Sequence, residues 1–200
     1  MRRAPFTERQ VGPRGTSRAL VMLLGWLLGS SLAIAQAPAG VDPNRVKAAF
    51  LRNFAHYVTW PSGTFGSAHA PWHVGVLGDA TFCEVVEKTL KGRTERDREF
   101  KVECADSLGR LPPCQIVFVA INDEDRRRLV LAELKDKPVL TVGDAPEFLR
   151  EGGVVRLDLG ERVQMSVNLD QARSVALTIQ SAMLEVAREV LENGAVSKRR

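Results

Sequence analysis

The chain has 200 residues, 44% hydrophobic and 26% charged, with 28 Lys+Arg against 24 Asp+Glu and three cysteines. This composition excludes a disordered or collagenous chain, a disulfide-dense miniprotein and a multi-span membrane protein. The formal charge of +4 gives no case for nucleic acid, because Arg2, Arg3, Arg9, Arg14 and Arg18 stand against Glu8 alone, while the residues after 35 carry 23 basic and 23 acidic groups.

The first 35 residues read as an export leader. A basic stretch is followed by the apolar run Ala19–Leu28 and by Ala33-Ile34-Ala35, which fits the small-x-small rule and predicts cleavage after Ala35. An uncleaved anchor is the other reading, since the uncharged stretch just reaches the lower bound of a membrane span. Export places the rest in an oxidising compartment, which permits disulfides. Residues 36–42 form an Ala/Pro/Gly linker, 43–194 a single domain and 195–200 a basic tail.

From Pro43 a helical pattern places Val46, Phe50, Phe54, Tyr57 and Val58 on one face and stops at Trp60-Pro61. Asn53 falls between Ala49 and Tyr57 on that apolar face, as a structural clamp or a ligand contact. A buried amide must find hydrogen bonds in either case. After a Gly/Ser loop over 62–71, Trp72–Leu77 is a strand ending at Gly78, and Thr81–Leu90 is a helix opened by a Thr81-x-x-Glu84 capping box. Glu99–Cys104 is the next strand. Gln115–Ile121 is continuously apolar, as a strand covered on both faces must be.

Asp123–Lys135 is a charged amphipathic helix, Val139–Val142 a strand and Glu147–Arg150 a helical turn. Val154–Leu159 and Val163–Leu169 alternate apolar and polar residues around Gly160-Glu161, which predicts a hairpin at an antiparallel sheet edge. The fold class is therefore α/β: a three-layer domain with a mostly parallel sheet and an antiparallel C-terminal hairpin edge. A long helix over 170–192, stopped by Asn193-Gly194, closes the chain. Its apolar arc is wider than a helix on a sheet requires, and the surplus stripe Leu177, Leu184, Leu191 packs on the first helix or forms a dimer or partner surface.

Parallel sheets bind ligands beyond the carboxyl ends of their strands, which makes Gly78, Asp79, Gly143 and Asp144 candidate ligand residues. The acids are equally placed as helix caps. Nucleotide fingerprints and a nucleophile elbow are absent from the sequence, and the i,i+4 pair His69 and His73 is interrupted by Pro71 in a loop, so no catalytic residue, metal or cofactor is assigned. Among the cysteines, Cys83 and Cys104 both fall near strand C-termini, whereas Cys114 precedes its strand at the other end of a sheet roughly 17–20 Å deep. A Cys83–Cys104 bridge is preferred. No bridge, or one through Cys114, stays open. Asn168, on the last strand, is a second structural polar residue or ligand contact.

The segment VKAAFLRNFAHYVTWP (46–61), the strand ending in Val-Leu-Gly78, Cys114-Gln-Ile-Val-Phe-Val, Pro-Val-Leu-Thr-Val-Gly-Asp (138–144), Gly152-Gly153-Val and Asn168-Leu169 together resemble the YfiR/HmsC-like family of exported proteins. The resemblance implies a Rossmann-like periplasmic regulator without established catalytic activity. Its best-studied type represses a membrane-bound diguanylate cyclase by binding its periplasmic part, and so restrains cyclic-di-GMP and biofilm formation. Other members are input domains of signalling proteins. Members often carry a cysteine where this chain has Gly75, which puts redox control through a bridge to the Cys114 position in doubt. A periplasmic sensor of small cell-envelope compounds, using the strand-end residues, is the alternative.

Overall fold

The computed structural model describes residues 42–160 and 162–198; the predicted leader and its cleavage site lie outside the described residues. Helix α1 (Pro43–Tyr57) starts where the Asp42 carboxylate accepts a hydrogen bond from Asn44 N and proline fills a first-turn position that has no helical acceptor to serve. It buries Lys47, Ala48, Leu51, Phe54 and Ala55. The chain then leaves through the two-residue strand β1 (Val58–Thr59), so the helix ends earlier than Pro61 alone requires.

Strand β2 (Trp72–Leu77) is followed by Gly78, whose φ of +91° turns the chain at once into α2 (Ala80–Leu90). Because the turn is so short, Asp79 occupies the cap and accepts from Phe82 N at 2.8 Å; the expected Thr81–Glu84 capping box does not form. Strands β3 (Thr94–Glu95) and β4 (Arg98–Ala105) make a hairpin that the sequence did not announce. Its two turn residues, Arg96 and Asp97, have φ of +50° and +61°, conformations usually given to Asn or Gly.

Strand β5 (Ile116–Val119), helix α3 (Glu124–Leu134) and strand β6 (Leu140–Gly143) follow. Both faces of β5 are covered, which explains its unbroken apolar run. Ile116 and Phe118 join the core shared with α1 and α2, whereas Val117 and Val119 join Leu131 and Leu134 of α3 on the other side.

The last third departs most from expectation. Strands β7 (Val155–Leu159) and β8 (Val163–Asn168) form the expected antiparallel pair. There is no long helix over 170–192. In its place stand α4 (Leu169–Ser174), β9 (Thr178–Ile179), α5 (Ser181–Glu185), β10 (Glu189–Glu192) and β11 (Ala195–Lys198). Helix α4 ends in a Schellman turn: Leu177 N bonds Ala172 O at 2.9 Å, Ala176 N bonds Arg173 O at 3.0 Å, and Ala176 takes φ +58°. That position usually holds glycine, so the stop carries no sequence signature. Asn193-Gly194 is not a helix stop but a two-residue hairpin turn with φ of +54° and +72°, and residues 195–198 are a strand rather than a tail.

The sheet has nine strands in the order β11-β10-β8-β7-β6-β5-β2-β4-β3, and five of its eight strand pairs are parallel. The β7–β8 hairpin is therefore not an edge: β10 lies parallel to β8, and β11 ends the sheet. Strand β1 pairs separately with β9. Among the described residues, no helix is long and apolar enough to cross a membrane.

Candidate functional site

The chain runs from β2 to β4 on one side and then returns to β5 on the other, so strand order reverses between β2 and β5, where an open sheet usually binds ligands. Here the two connections pack directly on each other. A Cβ on Gly78 would meet Ile121 Cγ1 at 3.1 Å and Ala120 O at 3.2 Å. Asp79 is spent on capping α2. Gly143 and Gly153 hold the buried Phe148 ring between them, and a Cβ on either would overlap it, so both glycines make room for a side chain of the fold itself.

Asp144 does not cap a helix. Its carboxylate accepts a 2.9 Å hydrogen bond from Lys47 Nζ, an ammonium with only 7% side-chain exposure. Lys47 reaches this point from α1 and lies over the rings of Phe82 at 4.7 Å and Phe118 at 5.4 Å. One carboxylate and two π faces offset the desolvation of the charge. The only hint in the sequence was a lysine four residues before Leu51, on the arc that turns inward.

A second buried pair fixes the neighbouring loops. Arg127 of α3 engages Glu151 through Nε at 2.5 Å and Nη2 at 2.6 Å, and its Nη1 donates to Ile121 O and Asn122 O. Both side chains are nearly inaccessible. The fork-to-fork hydrogen bonds hold the guanidinium pKa above its ordinary value, against the cost of burial.

Cys83 of α2 is bridged to Cys104 near the C-terminal end of β4, with Cα atoms 5.9 Å apart. Cys114 is free and buried. Its thiol donates toward Pro112 O at 3.2 Å, and burial, aided by the charge of Glu103, pushes its pKa up to about 12. It stays a neutral thiol at physiological pH. A Cβ on Gly75 would stand 3.2 Å from this sulfur and 2.8 Å from Leu111 Cδ1.

Cys114 lines a mostly apolar cleft of about 430 Å³ together with Leu108, Leu111, Gln115, Leu134 and Lys137. It opens at the N-terminal ends of β5 and β6, opposite the end of the sheet where Gly78, Asp79, Gly143 and Asp144 stand. Sequence reasoning missed it because its walls come from loops that carry no motif.

Asn168 is buried and hydrogen-bonded on both sides of its amide: Oδ1 accepts from Gln171 N at the start of α4, and Nδ2 donates to Leu149 O at 3.1 Å. Asn53 is a correction. The side chain is exposed, because α1 turns the arc of Lys47, Leu51 and Phe54 inward rather than the one centred on Asn53. It lines a groove of about 240 Å³ between α1 and α5 with Phe50, Tyr57, Met165, Ala182 and Val186. Leu177, Leu184 and Leu191 share no helix face. Leu177 is buried, Leu184 is half-buried against the core, and Leu191 is half-buried on β10.

A family model described as YfiR/HmsC-like matches residues 44–188. The chain belongs to the YfiR/HmsC-like family. The match runs from the first turn of α1 to the residue before β10, so it spans both buried ion pairs, the disulfide and the cleft, while the β10–β11 hairpin lies beyond it. YfiR/HmsC-like proteins are periplasmic and regulatory, and they are associated with diguanylate cyclase signalling.

Proposed function

We propose that this protein is a non-enzymatic periplasmic regulator that represses a membrane diguanylate cyclase by binding its periplasmic domain, thereby restraining cyclic-di-GMP production and biofilm formation. The family match across the folded domain carries this reading. Two features support it. The predicted leader directs the chain out of the cytoplasm, and the polar groups at the strand ends are engaged with one another, Lys47 with Asp144 and Asp79 with its helix.

The contact with the cyclase is assigned to the groove between α1 and α5. Phe50 and Tyr57 are half-buried there, and Val186 at its rim is 74% exposed, among the described residues one of the few large apolar side chains so open to solvent. This replaces the leucine stripe, which required a continuous helix. Co-purification of the cyclase from detergent-solubilised membranes tests the reading. Wild-type protein is expected to retain the cyclase, and Val186→Glu to lose it while keeping its melting temperature. Retention by the variant refutes the surface, and failure of the wild type to retain any cyclase refutes the function.

A further inference from the structure

We propose that the cleft at the N-terminal ends of β5 and β6 is a binding site for a small amphiphile with an apolar body and an anionic head, a medium-chain or aryl carboxylate. The site goes beyond the regulatory reading above and uses a different part of the molecule.

Its volume, about 430 Å³, is that of a small-molecule pocket. Leu108, Leu111, Pro113, Leu134 and the neutral thiol of Cys114 supply apolar walls. Two polar groups converge on it. Gln115 is 7% exposed, and its Oε1 accepts from His73 N at 2.8 Å, whereas its Nε2 makes no hydrogen bond among the described residues. That nitrogen keeps contact with solvent, so it is a donor open to a ligand oxygen in the cleft. Lys137 stands exposed at the rim with no ion pair among the described residues, and its ammonium selects a negative head over a positive one. Glu103, the acid that acts on Cys114, is turned to His73 Nδ1 at 3.6 Å. The arrangement is thus an apolar slot with one donor inside and one cation outside, the pattern that fixes an amphipathic acid by its head and buries its tail.

Calorimetric titration of the purified protein with decanoate, below its micellar concentration, tests the site. Decanoate is expected to bind saturably at one site and to raise the melting temperature, decanol to bind more weakly, and decyltrimethylammonium to bind least. Lys137→Gln is expected to weaken decanoate about two- to fivefold, as the loss of an exposed charge contact does, and to leave decanol unchanged. Leu108→Trp, on the loop wall, is expected to abolish binding of both while the circular dichroism spectrum is preserved. Absence of any heat or thermal shift with decanoate at millimolar concentration overturns the proposal. So does undiminished binding by folded Leu108→Trp, and equal affinity for decyltrimethylammonium overturns the assignment of an anionic head.

Discussion

Arg127 and Glu151 show what a single pair does in this domain. Each side chain is almost fully removed from solvent, and each satisfies the other, so removing one partner strands a charge in the interior. Glu151→Gln is expected to cost about 3–5 kcal/mol in urea unfolding; a loss below about 1 kcal/mol contradicts the pairing. Gly75 makes the opposite case, a residue whose missing side chain is informative. Gly75→Cys places a second thiol against Cys114, and thiol titration of the unfolded oxidised variant is expected to find no free cysteine where the wild type shows one. Persistence of two free thiols contradicts the geometry. These pairs were scarcely legible in the sequence, since Lys47 and Asp144 are 97 positions apart. Asn53 was misplaced for a related reason: α1 has apolar residues around most of its circumference, and periodicity alone does not say which arc turns inward.

At the scale of elements, strands β2, β4, β5 and β6 and helices α2 and α3 were readable, because glycine, proline and capping aspartates punctuate them, whereas the two-residue strands β1 and β3 were not. Residues 169–192 hold neither glycine nor proline. Ala176 ends α4 in a left-handed conformation with no glycine, and the apolar residues of 177–191 then fall on a helical period by coincidence while forming two short strands and one short helix. Ala176→Gly separates the two readings by sign. In the Schellman turn it relieves the left-handed Cβ and is expected to stabilise by roughly 0.5–1 kcal/mol, whereas in a continuous helix it would destabilise by about 1 kcal/mol. Asn193-Gly194 was the one available signal, and it fits a hairpin turn better than a helix stop.

That hairpin is held by Asp170, whose carboxylate accepts from Asn193 N at 2.8 Å and Gly194 N at 2.9 Å. These bonds lower its pKa from the ordinary value. The tether therefore contributes fully above the unfolded-state pKa of about 3.9 and is lost as pH falls through the lower folded-state value. Asp170→Asn is expected to speed amide exchange in β10 and β11 at pH 6; unchanged protection there contradicts the tether.

Across the whole molecule, an α/β sheet with helices on both faces was legible, and its C-terminal boundary was not. Strands β10 and β11 extend the sheet past the hairpin that was expected to end it, and they cover β8 from solvent on that side. The change moves the expected partner surface as well. Leu184 packs against the core, so Leu184→Glu is expected to destabilise by about 1–3 kcal/mol in chemical unfolding, while Val186→Glu stays within about 0.5 kcal/mol of wild type. Equal losses in the two variants contradict the placement of α5.

Cellular cyclic-di-GMP, quantified by mass spectrometry in cells lacking this protein and in cells complemented with it, tests the regulatory account most directly. The account predicts that loss of the protein raises cyclic-di-GMP, that wild-type protein restores the basal level, and that exported Val186→Glu, present at equal abundance, does not. An unchanged cyclic-di-GMP level on deletion contradicts it.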